Sequence, residues 1–201
     1  MEWTLEDGKA AVRLARTVIE HHLTYKSLPK LDIPKTFQRK CGVFVTINTY
    51  PAHRLRGCIG YPEPLFDLTK ALINAAKSAA TQDPRFPPMH PDELDHVIIE
   101  VTLLTPPELI VVKEPEEYLS AVVIGRDGLI AEQTPFKGLL LPQVPVEWGW
   151  DVREFLAHTC MKAGLSPDAW RDPSTKMYRF SGRIFCEKEP NGEVIEKPLR
   201  E

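Results

Sequence analysis

The sequence predicts an α+β fold, mostly antiparallel sheet with helices packed on it. Three observations lead there. Apolar residues recur at three- and four-residue steps in three separate stretches. Short runs of β-branched and aromatic residues stand between those stretches. Turn formers, with most of the 19 prolines, gather in the connections. At 201 residues one core can be well buried, so one domain or two closely packed subdomains are expected.

The elements follow in order. Thr4 with Asp7 three residues on forms a capping-box pair. Behind it Ala11, Leu14, Ala15, Val18, Ile19 and Leu23 mark an amphipathic helix over residues 5–23. Lys26 to Lys35 holds two prolines and reads as a loop. Val43 to Ile47 is a strand, Thr49 to His53 a turn, and Arg54 to Gly60 the returning strand of a hairpin. Pro62 and Pro64 stop it, and an alanine-rich helix follows over residues 65–80. Asp83 to Pro91 is proline-dense, with Arg85 and Phe86 placed to buttress the hairpin or cap the helix end. Val97, Ile99, Val101 and Leu103 alternate along a strand whose other face is partly covered, since Ile98 sits there.

Beyond Pro106-Pro107 the elements shorten. Glu114 to Leu119 reads as a short helix. Ala121 to Gly125 and Leu129 to Gln133 flank Arg126-Asp127-Gly128, an Asp-Gly hairpin signal. Leu139 to Leu141 is a short strand ended by Pro142. Asp151 caps a helix that carries Phe155, Leu156, Thr159, Cys160 and Ala163 on one face and ends at Gly164. Ser166-Pro167 opens a helical turn holding Trp170. Met177 to Glu187 reads as one long strand with a bulge at Ser181-Gly182, and Asn191-Gly192 as a turn.

Composition narrows the function classes. Lys+Arg 25 against Asp+Glu 28 leaves a net charge of -3, which argues against a nucleic-acid binder. No apolar run approaches a membrane span, and Met1 to Ala10 is largely polar and charged, unlike a signal peptide. A cytoplasmic protein without a membrane partner is expected. Cys41, Cys58, Cys160 and Cys186 contain no C-x-x-C pair, so a reducing compartment and no zinc ribbon are expected. His158 with Cys160, and His21 with His22, lack the i,i+4 spacing that aims two ligands from one helical face. Neither a metal nor a cofactor is expected.

The stretch with chemistry in it is Leu55-Arg56-Gly57-Cys58-Ile59-Gly60. One reading makes Cys58 a nucleophile in a tight loop. Arg56 would then favour the thiolate, and N–H groups over Gly57, Ile59 and Gly60 would hold a ligand. His53 in the preceding turn, or His158 in the late helix, would serve as base. Gln143 beside its prolines would orient the ligand. The other reading makes Cys58 a small packed side chain at a glycine-bracketed strand end.

The hexapeptide also resembles the signature of the AMMECR1 domain family, in its archaeal single-domain form. Further pieces fit in the same order: Gly42-Val43-Phe44-Val45-Thr46, Asp83-Pro84-Arg85-Phe86, Leu139-Leu140-Leu141-Pro142-Gln143-Val144, Phe155-Leu156 and Lys162-Ala163-Gly164-Leu165. The resemblance covers nearly the whole chain, residues 1–201. It implies one domain built of two intimately packed α+β subdomains with a cleft between them, the hexapeptide at that cleft, and no particular reaction. It also implies a shared pathway with Memo-like or radical-SAM proteins. Two functions therefore stand: a cleft enzyme using Cys58 on a small substrate, or a non-catalytic module binding a small ligand or a protein. A homo-oligomer is compatible with both.

Overall fold

The structure, a computed structural model, describes residues 3–198. In chain order its helices and strands are α1 (Leu5–Leu23), β1 (Val43–Thr49), β2 (Leu55–Tyr61), α2 (Leu68–Thr81), β3 (Val97–Leu104), β4 (Glu108–Leu109) and α3 (Tyr118–Ala121). Then come β5 (Gly128–Gln133), β6 (Phe136–Leu140), α4 (Gln143–Trp148), α5 (Val152–Lys162), β7 (Lys176–Phe180), β8 (Gly182–Glu187) and β9 (Val194–Lys197). The chain divides into two compact units. The first is residues 3–104 and 183–198; the second is Thr105–Gly182.

The first unit is built on a five-stranded sheet of order β2-β1-β3-β8-β9. β1 pairs antiparallel with both β2 and β3. Alternate residues of a strand face opposite sides. Val43, Val45 and Ile47, with Ile99, Val101 and Leu103, are therefore buried on one side against the apolar stripes of α1 and α2. α1 starts where the sequence places it: the Thr4 hydroxyl accepts from the Asp7 N–H, and the Asp7 carboxylate accepts from the Thr4 N–H. The helix then buries Ala11, Leu14, Ala15, Val18 and Ile19.

One buried ion pair ties this unit together. Arg16 of α1 meets Glu187 of β8, Nε to Oε1 at 2.8 Å and a second contact through its terminal nitrogen. The same guanidinium donates to the carbonyls of Leu94 and Val97, at 3.0 and 2.8 Å. Glu187 in turn accepts from the Ile99 N–H at 2.8 Å. Both side chains are almost fully enclosed, and these partners satisfy most of their polar atoms, as burial demands.

The second unit is a four-stranded antiparallel sheet of order β4-β7-β5-β6. Leu129, Ala131 and Met177 pack against Phe155, Leu156 and Cys160 of α5. Asp151 caps α5 by the expected reciprocal pair with Glu154, and Gly164 follows the helix at φ +79°.

Three expectations change. The hairpin is not at Arg126-Asp127-Gly128. There the buried Asp127 carboxylate accepts the Val123 N–H at 2.8 Å and pairs with Arg126, so the side chain organises a loop. The hairpin joins β5 to β6 through Thr134-Pro135. Met177 to Glu187 is not one bulged strand: at Ser181 the chain leaves one sheet and enters the other. Finally, residues 143–148, read without a secondary structure, form α4. It ends at Gly149 in the left-handed region, φ +66°.

Removing one partner of a buried pair strands the other. Glu187→Ala is expected to destabilise the protein by about 3–5 kcal/mol, with the double change Arg16→Met, Glu187→Leu recovering only part of it, since the Leu94 and Val97 carbonyls and the Ile99 N–H still lack their partners. Guanidinium denaturation monitored by circular dichroism checks this.

Candidate functional site

The hexapeptide forms nearly all of β2, an edge strand of the first sheet. Its two faces differ. Gly57 and Ile59 point to the helical side. A Cβ on Gly57 would collide with the Ala79 carbonyl of α2, and Ile59 packs against the core. Their positions have a packing reason, and neither side chain is offered to a ligand. Gly60 lies on the other face, where a Cβ would run into the Phe44 ring. The glycines thus let α2 and Phe44 approach the strand closely.

Cys58 shares that open face. Thr46 lies opposite it on β1, and Glu100 lies opposite Thr46 on β3. The Thr46 hydroxyl donates to the Cys58 Sγ at 3.2 Å. Glu100 is held by Lys197 at 3.3 Å. The row Cys58, Thr46, Glu100 is half-buried, and Cys58 is the one cysteine of the four that is not fully buried.

The backbone of Cys58 is clamped from outside the sheet. Its N–H donates to the Asp83 carboxylate at 2.8 Å, and its carbonyl accepts from the Arg85 guanidinium at 3.2 Å. Arg85 also donates twice through its side chain to Asp83, at 3.0 and 2.7 Å, and once through its own N–H at 3.1 Å. An acid and a base two residues apart thus reproduce what a neighbouring strand would offer at one residue: an acceptor for the N–H and a donor for the carbonyl. Asp83 is buried and Arg85 half-exposed. The Arg85 guanidinium holds the Asp83 carboxyl well below the usual carboxylate range, burial opposing it and the Cys58 N–H adding to it.

Electrostatics reverses the expectation for the thiol. Burial pushes Cys58 up, and Asp83 and Glu100 add to this; the Thr46 hydroxyl and Arg85 oppose it more weakly. Arg56, expected to favour the thiolate, is turned to Glu93 instead, with Nε–Oε2 at 2.6 Å and a second bond at 2.9 Å, and donates to the Pro87 carbonyl at 3.0 Å. The cation beside Cys58 is Arg85.

The remaining expected residues fall elsewhere. His53 is an exposed turn residue at φ +52°, its ring edge-on to Tyr50. His158 belongs to the second unit, stacked on Trp150 with centroids 3.8 Å apart. Gln143 opens α4, also in the second unit. No histidine or carboxylate is a hydrogen-bond partner of the Cys58 Sγ among the described residues. Nor do those residues hold a cluster of three or more metal-ligating side chains. Asp83 is the functional residue that sequence reasoning passed over. Its signal was Asp83-Pro84-Arg85, a carboxylate and a guanidinium on either side of a residue that fixes φ.

These features define an α+β protein of two units with a half-buried thiol on a clamped edge strand. The AMMECR1 family model matches residues 12–185, and the chain belongs to that family. Protein MJ0810 of Methanocaldococcus jannaschii is 58% identical over 196 residues, covering 98% of each chain. Protein TK0174 of Thermococcus kodakarensis is 52% identical, covering 98% of this chain and 97% of its own. The crystal structure of the uncharacterized protein PH0010 from Pyrococcus horikoshii matches with a TM-score of 0.80 at 52% identity, over 96% of this chain and 97% of that one.

Asp83 makes stability depend on acid. A carboxylate depressed in the folded state stabilises fully above its unfolded value, about 3.9, and loses that contribution as pH falls through the folded value. Asp83→Ala, which leaves the Cys58 N–H without its acceptor, is expected to cost about 1–3 kcal/mol at pH 7. The gap between wild type and variant should narrow below about pH 4. Denaturation midpoints measured from pH 2 to 7 check this.

Proposed function

We propose that the protein is a non-catalytic binding module and that the open face around Cys58 is its recognition surface. The observation that carries this reading is the surroundings of the thiol: the hydrogen-bond partner of the Cys58 Sγ is the Thr46 hydroxyl, and burial pushes the thiol up. A thiol enzyme needs the thiolate, hence a base or an uncompensated cation at the sulfur. Here the nearest cation is already paired with Asp83, and both histidines considered as bases have other contacts.

What the site does offer is rigidity. β2 is pinned to β1 along one edge and by Asp83 and Arg85 on the other. A surface that does not rearrange loses little entropy on binding. Half-buried Phe44, Thr46 and Cys58, with the Glu100–Lys197 pair beside them, present a face of mixed apolar, hydroxyl and charged groups. The partner class we assign is a Memo-like or radical-SAM protein, which rests on the family resemblance. The protein would work without a cofactor and in the cytoplasm.

The test separates shape from chemistry. Cys58→Ala is expected to keep binding of a Memo-like protein from the same organism within a few-fold. Cys58→Trp, which plugs the face, should weaken it by tenfold or more, about 1.4 kcal/mol. Calorimetric titration of the three proteins measures this. Native Cys58 should alkylate with iodoacetamide more slowly at neutral pH than an ordinary thiol of pKa about 8.5, the rate climbing only in more alkaline buffer. Arg56→Ala should leave that rate unchanged. Fast labelling at neutral pH, slowed by Arg56→Ala, would return the nucleophile reading.

A further inference from the structure

The connection from α4 to α5 in the second unit carries a stack of exposed rings. α4 ends at Gly149, whose left-handed backbone, φ +66°, turns the chain between two tryptophans. Trp148 and Trp150 come out stacked, centroids 6.1 Å apart at 20°. Trp150 is itself stacked on His158 of α5, centroids 3.8 Å apart at 4°. Three rings thus form a ladder anchored at its inner end on a helix. Trp148 is the outer rung and is 70% exposed. It has no other ring, cation or hydrogen-bond partner among the described residues, its indole N–H included. A Cβ built on Gly149 would meet nothing within 4 Å, so the turn itself is uncovered. Tryptophan is the residue type that most often anchors a binding surface.

The free charge around the ladder has one sign. Glu147 precedes Trp148 and is exposed, and its carboxylate has no hydrogen bond or ion pair among the described residues. Asp151 and Glu154 follow, also exposed. Asp151 accepts the Glu154 N–H at 2.8 Å, and Glu154 accepts the Asp151 N–H at 2.9 Å. That cap fixes both carboxylates at the start of α5, and neither meets a cation among the described residues. Arg153 is the one lysine or arginine between residues 147 and 158. Its guanidinium lies against Trp170, 5.8 Å from the ring centroid. An aromatic plate among uncompensated carboxylates repels phosphate and attracts a cation.

We propose that this ladder is a docking site for an arginine side chain in a basic segment of a partner protein. The guanidinium lies flat on the outer face of Trp148, and Glu147 accepts from its N–H groups. Shape selects the guanidinium. A single plate backed by a second ring offers a planar cation one broad contact, whereas an ammonium is best held by a cage of several rings. The guanidinium is also the more weakly hydrated of the two, so stacking strips less water from it. The ladder and Cys58 belong to different units, and the two readings stand or fall separately.

The probe is a capped pentapeptide of alternating glycine and arginine. The controls replace arginine by lysine, or by citrulline, which keeps the shape and removes the charge. The readout is the indole nitrogen–proton spectrum of the full chain. The arginine peptide is expected to shift the Trp148 and Trp150 indoles with saturation at a concentration of millimolar order. The citrulline peptide should bind at least about fivefold more weakly, and the lysine peptide about threefold. Trp148→Ala, at an exposed side chain, should remove the saturable shift of the Trp150 indole and leave the circular dichroism spectrum unchanged. Glu147→Gln should weaken the arginine peptide about threefold and flatten its salt dependence. Absence of shifts up to about 20 mM peptide overturns the site. So does equal binding of the lysine or citrulline peptide, or unchanged binding in Glu147→Gln. A wild type that sediments as a dimer while Trp148→Ala sediments as a monomer would give the surface to a second copy of this chain and overturn the proposal too.

Discussion

Arg16 and Glu187 stand 171 positions apart in the chain, and their buried contact closes the first unit. α1 comes from the start of the sequence and β8 from near its end; β3 lies beside β8 in the sheet. The guanidinium satisfies carbonyls at the entry to β3, while the carboxylate takes the Ile99 N–H inside it. Three elements are thereby fixed in register by one pair. Such a pair adds little net stability over an apolar replacement, but it is intolerant of half-measures. Its contribution is to specify which strand lies beside β3.

On the far edge of the same sheet a second ionic device acts on backbone instead of side chains. An exposed edge strand invites pairing with another chain. At Cys58 the invitation is withdrawn, because the outward N–H and carbonyl are already taken by Asp83 and Arg85. The clamp leaves the face of the strand accessible while closing its edge at that one residue. A partner reaching this face at Cys58 would meet side chains and not free backbone groups.

Legibility in the sequence followed the range of the forces. α1 and α5 were readable because their caps, Thr4 with Asp7 and Asp151 with Glu154, act over three residues. The β1–β2 hairpin was readable for the same reason. Asp127 misled because a carboxylate that bonds the backbone four residues back competes with the turn its neighbour glycine suggests. Ser181-Gly182 signalled a break in a strand but not that the chain changes sheets there, which tertiary pairing alone decides. The hexapeptide was recognisable as part of the returning strand. The role of Arg56 was not, since Glu93, which takes it, lies 37 residues on. Nor was that of Asp83, whose partner lies 25 residues back.

The second unit interrupts the first between β3 and β8, strands that end up side by side. Its two ends are stitched together: the Thr105 N–H donates to the Ser181 carbonyl and the Ser181 N–H to the Thr105 hydroxyl, both at 2.8 Å. During synthesis from the N-terminus the inserted unit has all its strands once residue 180 has emerged. The surrounding unit still lacks β8 and β9 at that moment and holds Arg16 without its carboxylate. The strands of the inner unit are thus synthesised before the outer sheet is complete, and the bonded ends, Thr105 and Ser181, bring the start of β8 to the end of β3. A chain that loses its last twenty or so residues lacks β8, β9 and Glu187, and so leaves Arg16 in the core of the outer unit without its carboxylate.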